Sequence, residues 1–375
     1  MAGLMDINEV RNLFPGLNGK IYMNTASSTI GCLPAKQAYE LAIWRWTDGT
    51  LDFGEAEQAG EHARAAFAVF IGAETREVAL VPNVSTAAGM VAAQLYPAKT
   101  GENVLVADIE FSSNFYPWLL LRDRGYEVRI VPSQGGAIPP DAYAGLADQG
   151  TRLIAVSAVQ SSSGYRADLK AISEIAGRSN AWLFVDACQA VGAVDLGVRR
   201  DGIDFMATSS HKFLLGSRGM GYFYVRNELL QKMRPVIPGW KAGRDPSNSF
   251  YGPQMDLSVS ASKMDSSLAW FPALAERASI GVIQRFGLNK IIDRNLHLTR
   301  HLYERLTEAG LEVAPFAPDN RSPIVSVPLN DPAGVMDRLR AANVIASLRA
   351  GAVRLSIHFY NLEEEIDRVV DLLKR

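Results

Sequence analysis

Cysteine is scarce in this chain. Only Cys32 and Cys188 occur in 375 residues, too few and too far apart for a disulfide framework or a metal-binding repeat, which fits a reducing compartment. No apolar run approaches the ~18 residues needed to span a bilayer. The start, Met1-Ala2-Gly3-Leu4-Met5-Asp6, lacks the basic stretch and apolar core of a secretory signal. Neither sign of charge dominates: 38 Lys and Arg against 40 Asp and Glu leave a formal charge of −2. Nucleic acid and anionic membranes are therefore not expected as partners. Repeats and low-complexity tracts are missing too. What remains, 48% apolar and 21% charged, is the composition of an ordinary cytoplasmic-type protein, long enough for two domains.

Short β-branched runs do occur, at Val78–Val81, Val104–Ala107, Val128–Val131, Leu153–Ser157, Trp182–Val185, Phe205–Thr208 and Gly221–Val225. Between them lie helical patterns at Glu55–Phe70, Thr86–Leu95, Phe115–Arg124 and Asp168–Ala176. Strands apolar on both faces and separated by helices predict a mostly parallel sheet covered on both sides. Ligands of such sheets sit outside the carboxyl ends of the strands. Residues 235–267 are rich in Gly, Pro, Ser and Asp and read as a long irregular excursion. Then a helical pattern runs from Leu268 to Glu308 with a break near Gly287. Strands at Ile324–Val327 and Val353–Ile357 follow, with helices at Val335–Ala341 and from Leu362, the last opened by a capping-box-like Asn361 and Glu364.

Five places carry chemistry. Thr208-Ser209-Ser210-His211-Lys212 puts a lysine where a buried strand enters a glycine-rich turn, and desolvation there favours a neutral amine able to form a Schiff base with an aldehyde. Asp186 closes an apolar strand, where a carboxylate needs a cation such as a protonated pyridine nitrogen. Asn83-Val84-Ser85-Thr86 leads a strand into a helix, and its free N–H groups and hydroxyls suit a phosphate. Phe111 follows a strand end and can stack on a flat ring. Arg354 lies inside an apolar strand with a fork that matches a carboxylate. Each has a plainer alternative: a loop lysine, a surface carboxylate, N-capping by Ser85 or Thr86, a core phenylalanine, a structural ion pair.

Their order along the chain resembles the class V aminotransferases, fold type I of the pyridoxal-phosphate enzymes, in the branch of cysteine desulfurases, cysteine lyases and isopenicillin N epimerase-like proteins. The matching positions are Glu110-x-x-Ser113-Asn114-x-x-Pro117-Trp118, Asp186-x-x-Gln189, His211-Lys212 and Arg354-x-Ser356-x-x-x-Tyr360-Asn361. The resemblance implies an α/β fold, with a large cofactor domain over 18–258 around a mostly parallel seven-stranded sheet. It also implies a smaller C-terminal α+β domain over 259–375, on which residues 1–17 pack. Lys212 would carry pyridoxal 5'-phosphate as a Schiff base and act as general base and acid. Asp186 would hold the ring nitrogen, Gln189 the ring hydroxyl, and Phe111 the ring face. Ser85, Thr86, Ser209 and His211 would bind the phosphate. Arg354 would take the substrate carboxylate, with Asn24 nearby, while Gln160 and Ser161 stand where an asparagine is usual.

Two departures narrow the chemistry. Desulfurases carry a nucleophilic cysteine shortly before the carboxylate arginine, and residues 341–351 have none. They also stack a histidine where this chain has Phe111. The reading is an enzyme acting on an amino acid through an external aldimine and α-carbanion, with β- or γ-elimination of a C–S type leading. Transamination, epimerisation and other pyridoxal chemistry (decarboxylation, carbon–carbon bond formation) are the alternatives. A non-catalytic binding protein of the same fold would have no need for Lys212, Asp186 and Arg354 together. A homodimer is implied, with Lys263-Met264-Asp265-Ser266-Ser267 as the loop reaching the partner's phosphate pocket. Residues 235–260, including Trp240, Lys241, Arg244 and Tyr251, are expected at the substrate entrance.

Overall fold

The computed structural model describes residues 6–95 and 97–374. The chain enters through α1 (Ile7–Asn12), β1 (Ile21–Tyr22), α2 (Leu33–Thr47) and α3 (Phe53–Ile71). Strands and helices then alternate: β2 (Val78–Val81), α4 (Val84–Ala92), β3 (Asn103–Ala107), α5 (Tyr116–Leu119), β4 (Glu127–Val131) and α6 (Pro140–Ala144). The alternation continues with β5 (Thr151–Ser157), α7 (Leu169–Arg178), β6 (Trp182–Asp186), β7 (Phe205–Ser209), β8 (Gly221–Val225) and α8 (Asn227–Leu230). After the irregular excursion come α9 (Trp270–Phe286), α10 (Leu288–Glu308), β9 (Ile324–Val327) and α11 (Pro332–Ala341). The chain closes with β10 (Val344–Ile345), β11 (Ser347–Arg349), β12 (Ala352–Ser356) and α12 (Glu363–Lys374).

Seven strands form one sheet in the order β2-β8-β7-β6-β5-β3-β4. Every pair within it is parallel except those made by β8, which runs antiparallel to β2 and β7. The reversal has a local cause. The link from β7 to β8 is too short for the crossover a parallel pair requires, and this link carries Lys212. Both faces of the sheet are covered, so β2, β3 and β8 are buried along their whole length and read as unbroken apolar runs.

The expected helix break is real: Gly287, at φ 84°, separates α9 from α10, a backbone conformation that glycine adopts without steric cost. Two contacts cross the division expected at residue 258. Strand β1 pairs in parallel with β10, and α9 packs on α2 and α3. Of the N-terminal segment 1–17, residues 1–5 lie outside the described part. Within the rest, Phe14 stacks near Tyr360 at 4.9 Å, and Arg11 pairs with Glu365 at 2.9 Å. The helix expected from Leu362 starts at Glu363, and Glu365 rather than Glu364 turns back to accept from the Leu362 N–H and Asn361 Nδ2. Asn361 Oδ1 itself accepts from the His358 N–H.

The segment Lys263–Ser267 is fastened to its own chain. Asp265, fully buried, accepts from Arg64 Nη2 at 2.5 Å and from the Leu80 N–H at 2.8 Å, while Lys263 Nζ donates to the Leu230 carbonyl. Removing one member of a buried pair strands the other charge. Asp265→Ala is expected to lose about 3–5 kcal/mol in urea denaturation; a loss below about 1 kcal/mol, the usual worth of an exposed pair, would show that water reaches Arg64.

Candidate active site

The carboxyl ends of β5, β6 and β7 bring Ser157, Asp186 and Ser209 to one edge of the sheet, with Ser157 opposite Asp186 in the strand register. Beyond Ser209 the chain enters the short link to β8. Leu215 there adopts φ 63°, a strained conformation for a side chain of its size. It is held by the Ser279 hydroxyl, which donates to its carbonyl, and by the Gly216 N–H donating to Ser210. A Cβ on Gly216 would stand 2.1 Å from Glu276 Oε2, so the link is clamped on α9 and the position of Lys212 is fixed.

Lys212 opens into a cavity of about 260 Å³ that also contains Phe111, Asp186, Gln189, Ser209, His211 and Arg354. Seven of the residues expected at the site thus converge. Three do not line it. Ser85 and Thr86 sit on the first turn of α4, but Asn83 is the N-cap: its Oδ1 accepts from the Thr86 N–H and from both hydroxyls. Capping by Ser85 or Thr86 is therefore corrected to capping by Asn83, which lines the cavity together with Val84. Asn24 bridges to Ser356 with its Oδ1 buried and unpartnered, and its neighbours Ala26 and Ser27 face the cavity instead. A depression of about 580 Å³ elsewhere is larger, but its Arg166 and Arg200 are taken up by Asp195 and Asp201.

The cavity is built for charge that the protein does not itself supply. Asp186 is buried and has no lysine, arginine or histidine within ion-pair distance among the described residues. Burial raises its proton affinity, while Lys212 and the Cys188 N–H act against that. Gln189 donates to the Ala26 carbonyl and to Ser161, leaving its Oε1 buried without a donor. The Phe111 ring is 55% exposed, with Lys212 Nζ 5.8 Å from its centroid. His211 is pushed down to about 4 by burial and by Lys212 and Arg218, so it is neutral at neutral pH.

Arg354 is the most telling. Only 1% exposed, it donates to Ser347 Oγ, to the Ser161 carbonyl at 2.7 Å and to Ser27 Oγ at 2.6 Å. All of these are neutral, and no carboxylate among the described residues pairs with it, so the structural ion pair is excluded as its reason. Burial and nearby Arg349 lower its proton affinity to about 10. A buried guanidinium with neutral partners only is a site for an incoming anion.

Sequence reasoning gave no role to Ser27, Arg218 and Arg349, which also line the cavity. Arg349 lies in the segment inspected for a cysteine, on the tight hairpin that β11 makes with β12. Within its own chain the excursion stands apart from the cavity. Lys241 is tied to Glu57 and Glu61, Arg244 to Asp256 and Trp240 to Ser267, and neither these nor Tyr251 line the cavity. Gln160 turns away to donate to Glu110 at 2.7 Å, whereas Ser161 faces inward.

A lysine, a strand-end aspartate with no cation and the exposed ring of Phe111 at the carboxyl edge of this sheet, with an arginine with no anion reaching the same cavity from β12, suit a pyridoxal-phosphate site. The acceptors Asp186 and Gln189 Oε1 match the N–H of a pyridinium and a ring hydroxyl, so the residues fit the cofactor. The sequence profile of the aminotransferase class-V family matches residues 47–369, and the chain belongs to that family. It is 30% identical to a probable cysteine desulfurase of Methanothermobacter thermautotrophicus, covering 99% of this chain and 98% of that one. It is 29% identical to an uncharacterized aminotransferase of Bacillus subtilis, over 97% and 96%. The fold is shared with a cysteine desulfurase from Thermococcus onnurineus (TM-score 0.86, 22% identity, 100% and 98% covered). It is shared too with a cystine C–S lyase solved with its product cysteine persulfide (TM-score 0.86, 20% identity, 96% and 99% covered). The protein is a pyridoxal-phosphate-dependent enzyme.

Neither thiol suits nucleophilic chemistry. Burial, then Asp186, pushes Cys188 up to about 11, and burial also raises Cys32. Because the thiolate is the reactive form, iodoacetamide at pH 8 is expected to leave the native protein unmodified by mass spectrometry over an hour. Stoichiometric labelling would contradict this.

Proposed function

We propose that the enzyme is a lyase that removes a sulfur substituent from the β- or γ-carbon of an amino acid and releases it to solvent. The observation that carries the reading is Arg354, buried without a counter-ion and opening into the cavity that holds Lys212 and Asp186. The names of the relatives, desulfurases and a C–S lyase, favour sulfur as the leaving atom. Cys188 lines the cavity, but its thiol is buried and held protonated, which favours release over capture on a protein thiol.

Asp186 would hold the ring nitrogen, Gln189 the ring hydroxyl and Phe111 one ring face. Ser209 and His211 would hold the phosphate, joined by Ser85 and Thr86 once their hydroxyls turn from Asn83 Oδ1. The bound cofactor supplies an electron sink for the pair left at Cα. Arg354 would fix the substrate carboxylate through its fork, with Ser27 and Ser161 keeping the guanidinium in place. Lys212 Nζ would take the Cα proton and return a proton to the departing or remaining fragment. Phe111 has no proton to give, so acid assistance at the leaving group would fall to Lys212 or water.

The domain division fits better near Gly287 than at 258/259, because α9 packs on α2 and α3. A homodimer is part of the reading, supported by the exposed apolar side chains of Tyr116 and Leu120, each more than half exposed; light scattering tests it. No helix of the described residues is long and apolar enough to cross a membrane, and the two free cysteines suit a cytoplasmic location. Product analysis over a panel of amino acids decides the reaction. Ammonia, a keto acid and free thiol or sulfide are expected; glutamate formed from 2-oxoglutarate without fragmentation would replace the lyase by an aminotransferase.

A further inference from the structure

Behind Asp186 lies a second buried carboxyl that the reaction above does not use. Glu110 follows β3 and immediately precedes Phe111. Its Oε1 accepts from the Ser157 N–H at 2.8 Å and from Gln160 Nε2 at 2.7 Å; its Oε2 accepts from Asn114 Nδ2 at 2.8 Å and from the Ser157 hydroxyl. Asn114 is held in turn by Trp118 Nε1 at 3.1 Å. All four donors are neutral, and no cation pairs with Glu110 among the described residues. Four donors are the full acceptor complement of an ionised carboxylate. A neutral carboxyl would turn its own O–H against one of them.

The groups around it are of one sign. Ser157, which gives Glu110 two of its hydrogen bonds, pairs across the β5–β6 register with Asp186. On the α6 side stands Tyr143, its hydroxyl buried without a partner, with Asp108 beyond it. Lys212 and Cys188 act on Asp186 from the cavity side. Burial, reinforced by Asp186, pushes Glu110 up to about 7 against its donors. Such a charge is costly to keep, and a core that needed only packing would not require it.

Taking Asp186 as the partner of the ring nitrogen, we propose that Glu110 is a positioning residue: its carboxylate, when ionised, would be a second negative charge behind Asp186 and would help Asp186 hold the ring nitrogen protonated. A unit charge two strand spacings away, ~10 Å, at an effective dielectric of ~20 is worth about one pH unit on a titrating cation.

The test is a pH titration of the visible absorbance band of the reconstituted holoenzyme. Glu110→Gln is expected to keep the cofactor and lower the midpoint by about one pH unit. Glu110→Asp, which keeps the charge, should recover most of the shift. Trp118→Phe loosens Asn114 without removing any donor from Glu110 and should move the midpoint by less than about 0.3 unit. A wild-type midpoint in Glu110→Gln, or an equal shift in Trp118→Phe, overturns the proposal. If Glu110→Gln does not fold, Ser157→Ala decides. Loss of its hydroxyl raises the proton affinity of Glu110 and should lower the midpoint by about half a unit; no movement overturns the role. Asp186→Asn is titrated alongside. An unmoved midpoint there refutes the placement of Asp186 on the ring nitrogen, whereas movement there without movement in Glu110→Gln refutes only the role of Glu110.

Discussion

Lys212→Ala is expected to abolish the visible absorbance of the covalently held cofactor and to reduce turnover on the order of 10⁴-fold. The side chain carries two duties in the proposed reaction, the covalent link and the proton at Cα, so both fail together. The fold should survive. Lys212 makes no ion pair among the described residues, and the link that bears it is clamped by Ser279, Ser210 and the close approach of Gly216 to α9. Absorbance spectra and single-turnover rates measure the two losses separately. An unchanged band in the variant would place the cofactor elsewhere, and an unchanged rate would assign the proton transfer to another group.

Arg354→Ala is expected to raise KM by about 100-fold while the cofactor stays bound. Truncating one partner of a buried charge pair costs about 2–5 kcal/mol, and about 3 kcal/mol corresponds to 10² in affinity. In the free protein the substitution removes only bonds to Ser27, Ser161 and Ser347, groups that water can satisfy. Arg354→Lys should recover little, because an ammonium cannot reproduce the planar fork. Substrate titrations followed by cofactor absorbance give the affinity directly. Cofactor loss in Arg354→Ala would make the residue structural and remove the main support for an amino-acid substrate.

Much of this architecture is local and was readable. The strand-forming runs became β2 to β8, with ends moved by a residue or two, because burial selects β-branched and aromatic residues along these strands, the edge strand β4 with its exposed Glu127 and Ile130 excepted. The break at Gly287 needed only a residue free to take positive φ. Short pieces were not readable. Strand β1 is two residues long and exists only because β10 lies beside it, and β11 exists only as the return of a hairpin onto β12. The helix α2, with a weak apolar stripe and several exposed large side chains, is held by α9 and carries little periodic signal of its own.

For the site, the sequence by itself determined which chemical groups are present and in what order. Lys212, Asp186, Gln189, His211 and Phe111 follow or close strands, and strand ends share one edge of a parallel sheet whatever the details; Arg354, inside β12 of a separate antiparallel sheet, reaches that edge only through the tertiary fold. Only the tertiary structure decided what each side chain meets. It put Asn83 rather than Ser85 or Thr86 in the cap, turned Gln160 from the cavity to Glu110, brought Ser27 to the guanidinium of Arg354, and fastened the excursion to its own chain. Propensity and periodicity act over a few residues, whereas those contacts join segments hundreds of positions apart and depend on register and packing. Whether a buried charge finds a counter-ion is a property of such contacts, which is why the unpaired Arg354 and the fully satisfied Glu110 could be recognised only in the folded molecule.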